Sequence, residues 1–379
     1  MKNILIILMV ISFICCNQRV NNIDVSNYEL ITIDPAKIES GIPISDYIDS
    51  VSYIILQTTT DNLIGEIKKV IQYNDILFVL DDKTNAIWKF SNKGEYLGNI
   101  QRIGKGPEEY IKINNFFISD NQLILYDSNQ RKIIKYDLNG KYINTVLVGR
   151  DLIRDLMPFG DSYICYNYTD HYKKDFTRTG IWRIDSNAIF KDQILTINSN
   201  YNSYKDWPNL YTFDHFPHIF NQLTNEICYI KNDSIFLKYR FNFISLNSLS
   251  DFNGNIDLSL PDIINFSCIE TTNLVISSWV IKDNNNSGNI FCFYSKDNQE
   301  VKVSSGIIND IDIIIGKFIP INSDSRRIVS VLNYNDIYGA KEFINELKST
   351  GQFNFSNLEY VVNNVKLNDN PILQIFYTK

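Results

Sequence analysis

The sequence predicts an all-β protein: a six-bladed β-propeller of four-stranded antiparallel blades, with a short helical insertion near the C-terminus and a closing C-terminal strand. Three observations predict this fold. A complete four-stranded unit lies within residues 101–148, and a matching unit precedes it at a fixed offset. Helical spacing of apolar residues is confined to a short stretch before the C-terminal strand.

The four-stranded unit is defined by its turns. Each predicted strand ends in residues that favour turns, and Asn139-Gly140 is the strongest signal because a type I′ hairpin needs positive φ at both central residues. The predicted strands are Ile113–Ser119, Gln122–Tyr126, Lys132–Asp137 and Lys141–Val148. Together they form one antiparallel blade.

The preceding segment, Gly65–Ile100, repeats this unit. Setting Gly94 on Gly140 gives an offset of 46 residues (140 − 94), and Asp81 then falls on Asp127. The same offset aligns Lys89 with Lys135, Phe90 with Tyr136 and Tyr96 with Tyr142. A period of this length is typical of a propeller blade. We therefore expect structural roles for the repeated aspartate, lysine and glycine.

Further blades follow along the chain. A divergent third blade is predicted over Ile153–Ile197, and a hairpin around Asn232-Asp233 marks the fourth. The fifth is predicted over Ile263–Gly316, with an Asn-rich turn at Asp283–Gly288, and the sixth begins with Lys317–Leu332. Several strand cores are apolar on consecutive residues, as expected where both faces of a blade are buried between neighbours.

The C-terminal region departs from the strand pattern. Asp336–Ser349 places apolar residues at helical spacing and predicts a short amphipathic helix, with a second helical turn near Asn357–Asn364. Pro371–Thr378 is predicted as a last strand that completes a blade and closes the ring. Near the other end, Val51–Gln57 is predicted as the first strand of the domain.

The N-terminus predicts export. Lys2 and the apolar stretch Ile4–Ile14 are typical of a signal peptide, and the stretch is too short to span a bilayer. The signal is predicted to occupy residues 1–16, followed by a tether and lead-in at 17–49 and the propeller at 50–379. Its end resembles a lipoprotein signal, which implies lipid attachment at Cys16. There are two alternatives: cleavage before Cys15, or an ordinary signal peptide that ends in a chance pair of cysteines.

Composition and charge exclude some partners. The net charge is −7, and no basic run or stripe is present, which argues against nucleic acid. The same charge gives no attraction to anionic lipid, so the membrane would be reached by the lipid anchor only. We expect a monomer.

The four cysteines beyond the signal are predicted to be buried free thiols because each lies in an apolar or aromatic strand. Cys268 and Cys292 fall on the first and third strands of blade five, roughly 10 Å apart by strand spacing. That separation exceeds the reach of a disulfide. The set is Cys165, Cys228, Cys268 and Cys292.

Several stretches carry a family resemblance. They are Val51–Thr60 with Leu63–Gly65, Arg102–Tyr110, Ile307–Asp312 and Asn368–Leu373. In this order they resemble the six-bladed β-propeller lipoproteins of Bacteroidetes, a group related to NHL-type propellers. Glu108 stands where that family more usually has glycine, and the match is poor over residues 151–220.

The resemblance implies the propeller fold and an exported, anchored lipoprotein of the cell envelope and outer membrane. It implies little about the ligand. Residues 17–20, which follow Cys16, lack the acidic cluster that resembles a surface-export signal in this group. That difference favours the periplasmic face over the cell surface.

The best candidate ligand loop is Gly104–Tyr110, expected at the junction of blades one and two. Two glycines and a proline fix an unusual backbone there. The candidate binding residues are Arg102, Lys105, Glu108, Glu109 and Tyr110. The alternative is an inter-blade connection whose composition only meets its backbone geometry.

Two polar groups are weaker candidates. Asn309, Asp310 and Asp312 could supply oxygen ligands to Ca²⁺, although such residues also simply form turns. No other cofactor is predicted. His215 and His218 could serve a metal or act as a base beside aromatic residues, but Pro217 between them excludes a helical zinc motif. A structural role is the favoured interpretation.

Two functions from different classes remain. The sequence contains no nucleophile elbow, zinc-protease motif or phosphate loop. We favour a non-catalytic binding or scaffold lipoprotein whose loops face a glycan, a peptide or an envelope protein. The alternative is a propeller hydrolase, lactonase or lyase that acts on a carbohydrate-like substrate, with Ca²⁺ in the central channel.

Overall fold

The computed structural model describes residues 23–167, 178–196, 210–221, 224–244, 263–283, 286–312, 321–348 and 356–379. Its main sheets are six antiparallel blades arranged as a propeller, which confirms the predicted fold class. The predicted signal peptide and Cys16 lie outside the described residues. Within this described part, no helix combines the length and apolar character needed to cross a membrane.

Three short strands precede blade one. They are β1 (Glu29–Ile33), β2 (Ile42–Pro43) and β3 (Ile48–Ile55), and single 3-10 turns at Pro35–Lys37 and Ile44–Asp46 lie between them. The predicted first strand at residues 51–57 corresponds to β3, which begins and ends earlier in the chain.

Blades one to three are consecutive four-stranded meanders. Blade one contains β4 (Ile67–Tyr73), β5 (Ile76–Asp81), β6 (Ala86–Ser91) and β7 (Tyr96–Ile100). Blade two contains β8 (Asn115–Ser119), β9 (Gln122–Asp127), β10 (Lys132–Asp137) and β11 (Tyr142–Leu147). Blade three contains β12 (Asp155–Phe159), β13 (Ser162–Asn167), β14 (Gly180–Asp185) and β15 (Phe190–Leu195). The predicted four-stranded unit is therefore confirmed to within a few residues.

Blades four and five follow the divergent third blade. Blade four contains β16 (Leu210–Phe213), β17 (Phe216–Asn221), β18 (Glu226–Lys231) and β19 (Ser234–Phe243). Blade five contains β20 (Ile263–Glu270), β21 (Leu274–Asp283), β22 (Asn286–Ser295) and β23 (Glu300–Ser304), followed by the short β24 (Ile307–Ile308). The predicted turn at residues 283–288 is wrong in extent. Backbone pairing continues to Asp283 opposite Asn286, so Asp283 and residues 286–288 lie in β21 and β22 rather than in a turn.

Blade six joins the two ends of the chain. Its elements are β25 (Asn322–Ser323), β26 (Arg327–Leu332), α1 (Tyr334–Lys348), α2 (Ser356–Asn364) and β27 (Ile372–Thr378). Both predicted helical segments and the last strand are confirmed. β27 pairs with β26 on one side and with the N-terminal β3 on the other, so the ring closes by pairing the two ends of the domain.

The lead-in is part of the propeller surface. β1 runs parallel to β19 as a fifth strand of blade four, and β2 pairs with β24 after blade five. Ile31 and Ile33 are buried in a cluster that includes Trp279 of blade five. Because this segment buries apolar side chains and pairs its backbone, residues 29–46 do not form a free tether.

The repeated aspartates have the same structural role in blades one and two. The Asp127 carboxylate accepts the backbone N–H groups of Ile111, at 2.7 Å, and Asn129, at 2.9 Å. Asp81 likewise accepts those of Gly65, at 2.9 Å, and Lys83, at 3.0 Å. Each carboxylate thus joins the turn after the second strand to the connection that enters its blade.

A chain of polar side chains links the first strands of successive blades. Lys69 of β4 donates to the Asn115 side chain of β8 at 2.8 Å, and Asn115 donates to Asp155 of β12 at 2.8 Å. Asp155 then accepts the backbone N–H of Leu210 at 3.0 Å. Burial lowers the pKa of Lys69 to about 8 and raises that of Asp155. We call this set the inter-blade bridge; it joins blades one to four.

The four described cysteines are free, as predicted, and three of them are buried; the prediction of burial is wrong for Cys268, which is half-buried. Ser277 of β21 is opposite both Cys268 and Cys292, which places a strand between these two thiols.

Gly94, in the turn between β6 and β7, packs against β3, the strand that closes the ring. Its φ is +88°, and a Cβ would lie 2.1 Å from the carbonyl oxygen of Ile55 in β3. Gly160 has φ +58° but open space around the Cβ position, so Gly160→Ala isolates the backbone strain, about 1 kcal/mol. We expect Gly94→Ala to lower the free energy of unfolding by about 3 kcal/mol or more, because the closing strand must also shift. Denaturant unfolding measures both variants, and equal losses would contradict a contact with β3.

Candidate functional site

The predicted ligand loop at residues 104–110 lies at the junction of blades one and two, between β7 and β8. Its ends pair with each other: Gly104 N–H donates to the Tyr110 carbonyl at 2.9 Å, and Tyr110 N–H to that of Arg102 at 3.0 Å. The Tyr110 side chain is buried, and its hydroxyl lies 3.2 Å from the Ile100 carbonyl.

Blade two holds the carbonyl groups of this loop. Lys132 Nζ donates to the carbonyl of Gly106 at 2.8 Å, and the Tyr136 hydroxyl donates to that of Glu108 at 2.6 Å. The Thr145 hydroxyl donates to the Pro107 carbonyl at 2.6 Å. Three side chains from β10 and β11 therefore fix the backbone of the loop against blade two.

The charged residues of the loop face in different directions. Arg102 and Glu108 form a half-exposed ion pair at 2.7 Å. Glu109 accepts the Gly106 N–H at 2.7 Å and fills the space beside Gly104. Lys105 is exposed. The structure accounts for the unusual loop by contacts within the protein, and ligand binding by these residues stays a prediction.

The second predicted group, Asn309, Asp310 and Asp312, attaches the N-terminal segment. Asp310 accepts the backbone N–H of Ser45 at 2.9 Å and also the Ser45 hydroxyl. Asp312 accepts hydrogen bonds from the Tyr53 hydroxyl and the Asn309 amide. Among the described residues, no group of three or more His, Cys, Asp or Glu side chains could hold a metal ion. The Ca²⁺ site is still a prediction.

The structure separates the two histidines. His215 is exposed in the turn between β16 and β17, where its φ is +65°. His218 is buried, and its ring is stacked between those of Tyr211 and Tyr229 with centroid distances of 5.2 and 5.8 Å. The buried imidazole accepts a hydrogen bond from Lys238, which belongs to a cluster of charged side chains between blades four and five.

Glu270, the last residue of β20, is the centre of that cluster, and its side chain is fully buried. Its Oε1 lies 2.7 Å from Lys238 Nζ and 2.6 Å from Lys296 Nζ. The hydroxyls of Tyr239 and Tyr211 donate to its two oxygens at 3.0 and 3.2 Å. We call these residues, with His218 and Phe213, the blade four–five cluster.

A β-bulge makes the cluster possible. Neighbouring residues of a regular strand point to opposite faces, yet Lys238 and Tyr239 both contact Glu270. The register of β18 with β19 shifts between Ile227 and Cys228, which are opposite Tyr239 and Leu237 and leave Lys238 unpaired. An extra residue of this kind re-aims a side chain, here toward blade five.

The protonation states in the cluster follow from burial and neighbouring charge. Burial alone would raise the pKa of Glu270, but the ammonium groups of Lys296 and Lys238 hold it below its usual value. Burial, with the Lys238 charge, lowers the pKa of His218 to about 4. Neutral His218 donates from Nδ1 to the Phe216 carbonyl at 3.0 Å and accepts from Lys238 at Nε2, also at 3.0 Å.

Two lysine side chains surround one buried carboxylate in the cluster, and the Glu29 carboxylate of β1 adds negative charge near Lys296. The cluster also holds the neutral imidazole of His218. The Lys238 and Lys296 side chains are 23% and 15% exposed, and their nitrogens lie 4.5 and 4.4 Å from the Phe213 ring centroid. Each ammonium has three N–H donors and gives two to hydrogen-bond acceptors of the described residues. The arrangement can therefore bind an anion beside an aromatic ring.

Sequence reasoning found His218 and missed the charged residues around it. Lys238, Glu270 and Lys296 come from two blades and three separate strand ends or bulges, so no local spacing links them. The available signal was Glu270, a single glutamate at the end of an apolar strand. Its position in the sequence does not identify the lysines that pair with it.

Comparison with known proteins identifies the family. A family described as a domain of unknown function (DUF4934) matches residues 30–377. The chain belongs to this family. No curated protein matches it.

One solved structure shares the fold. A Bacteroides fragilis protein for which export has been suggested is 18% identical, with a TM-score of 0.72, and the alignment covers 93% of this chain and 100% of that one. A Bacteroides vulgatus member of the duf4221 family is 11% identical, with a TM-score of 0.47, over 88% of this chain and 97% of that one. At 18% identity the likeness to the Bacteroides fragilis protein shows the fold alone.

His218 makes the stability of the protein depend on pH. The unfolded chain binds a proton at this residue near pH 6.5, whereas the folded chain does so only near pH 4. Protonation between these values therefore favours unfolding, and stability falls as the pH is lowered through that window. We expect wild type to lose about 3 kcal/mol more than His218→Gln between pH 7 and 4. Unfolding at several pH values measures this, with the exposed His215→Gln as control; parallel curves for wild type and His218→Gln would contradict it.

Proposed function

We propose that this protein is an exported, lipid-anchored β-propeller of the bacterial cell envelope that binds an anionic glycan or peptide at the blade four–five cluster. The observation that carries the proposal is the pair of partly exposed ammonium groups held beside the Phe213 ring by a buried glutamate. A carboxylate or sulfate would accept the N–H groups that have no hydrogen-bond acceptor within the described cluster.

The aromatic side chains support a glycan or peptide over a simple ion. Phe213 borders both ammonium groups, and Tyr229 stacks on Phe236 with a centroid distance of 5.2 Å. Aromatic rings beside charged groups contribute apolar contact area to a ligand that also carries a carboxylate.

The state of His218 favours binding over catalysis at this cluster. A general base needs a lone pair that a substrate can reach. The imidazole is buried, its Nε2 already accepts from Lys238, and its pKa is lowered to about 4. Its geometry is that of a group that positions Lys238.

Export and anchoring are supported by the sequence and by the fold relative. Residues 1–16 have the pattern of a lipoprotein signal, and the Bacteroides fragilis protein of similar fold is one for which export has been suggested. We propose attachment at Cys16, an outer-membrane location on the periplasmic side, and a monomeric state.

Binding is tested with the signal-less protein and oligogalacturonides, using their methyl esters as the uncharged comparison. We expect Lys238→Met combined with Lys296→Met to weaken binding of the acid at least about tenfold, because both charge-assisted donors are lost. Isothermal titration measures the affinity. Lys231→Met is the matched control, since that exposed lysine lies on the same blade, 5.2 Å from the Phe216 ring centroid.

A folding control accompanies these variants because they leave Glu270 buried without a cation. Lys296→Met with Glu270→Gln removes one charge of each sign, and thermal unfolding checks that the fold persists. Equal affinity for acid and ester, or the same loss in Lys231→Met, would contradict the proposed site. An acidic peptide that binds while oligogalacturonide does not would assign the ligand class to peptides.

A further inference from the structure

The chain is fixed to the propeller soon after the proposed lipid attachment site. Asp24 N–H donates to the Ile235 carbonyl at 2.9 Å, and Leu237 N–H donates to the Asp24 carbonyl at 2.9 Å. Eight residue steps separate Cys16 from Asp24 (24 − 16). At full extension they span about 29 Å, so a lipid on Cys16 holds the bilayer close to this part of the protein.

The surface at this point is the outer edge of blade four, formed by β1. Ile31 and Ile33 of β1 are buried, whereas Leu30 is 54% exposed, and Val25, in the segment before β1, is 53% exposed. Tyr28 is exposed between them, with the Arg240 guanidinium 5.0 Å from its ring centroid. Ile244, whose N–H donates to the Ile33 carbonyl at 2.9 Å, is a further exposed apolar side chain, at the C-terminal end of β1.

We propose that this stripe, Val25, Tyr28, Leu30 and Ile244, rests on the lipid surface and orients the propeller with the rim of blade four toward the membrane. The inference rests on the lipid anchor of the proposed function. Aliphatic side chains gain by leaving water for the boundary of the acyl chains, while tyrosine and arginine suit the headgroup region. Weak apolar contacts suffice here because the anchor already keeps the stripe within reach of the bilayer.

Blade two provides an internal comparison. Its outer strand also exposes apolar side chains, Ile143 and Leu147, the latter 69% exposed. No proposed anchor lies near it in the chain. If apolar exposure alone decided the orientation, this edge would contact lipid as readily as β1.

The experiment uses the acylated mature protein in vesicles of phosphatidylethanolamine and phosphatidylglycerol. Hydrogen–deuterium exchange is compared with that of the signal-less protein, which begins at Asn17 and carries no lipid. We expect exchange of residues 24–33 to slow about tenfold in the anchored protein, as partial burial of two aliphatic side chains stabilises the strand. Residues 142–147 should exchange equally in both.

Two double variants separate the edges. Val25→Ser with Leu30→Ser should abolish the protection of residues 24–33, whereas Ile143→Ser with Leu147→Ser should leave it intact. Both pairs replace exposed side chains, so folding is retained. An acylated chain without protection of residues 24–33, or with equal protection of residues 142–147, overturns the orientation alone. A mature N-terminus without acyl chains, found by mass spectrometry, overturns the anchor and the orientation together. Anion binding at the blade four–five cluster is tested independently by the titrations with oligogalacturonide.

Discussion

The hydrogen bonds from Lys69 through Asn115 to Asp155 connect neighbouring blades of the propeller. Such connections are needed because the blades share no continuous sheet. Backbone pairing ends at the first strand of each blade, and neighbouring first strands approach without forming a ladder. A lysine and an aspartate with an asparagine between them join these strands. Removal of the asparagine would leave two charges in a site of low polarity, which is strongly unfavourable. The register between blades one to four is thus set by side chains.

The junction between blades four and five uses charge in another way. Glu270 comes from the end of a first strand, but its cations come from a bulge in blade four and a turn of blade five. The carboxylate is saturated by donors, whereas its two lysines are not. A structural ion cluster and a binding site are therefore compatible here, because the buried glutamate fixes both ammonium groups while each keeps one N–H without an acceptor among the described residues.

The sequence predicted what depends on local pattern. The repeat of Gly94 at Gly140 located two blades, and helical spacing located α1 and α2. It did not predict β1, since a five-residue strand with two buried positions resembles any polar lead-in, and its partner β19 lies some two hundred residues away in the chain. The charged cluster was missed for the same reason: Lys238 reaches Glu270 through a bulge that only the pairing of two strands creates.

The pairing of β3 with β27 has a consequence for how the molecule is made. Ile55 and Ile372 are direct partners although 317 residues separate them (372 − 55). An N-terminal strand that emerges first must wait, unpaired, for the final residues of the chain. The entropy lost in bringing the two strands together is then offset by one late pairing step, not by contacts that form gradually along the chain. The ring of blades therefore stays open until β27 pairs, and the same closure brings Lys379 N–H to 3.0 Å from the Tyr47 carbonyl.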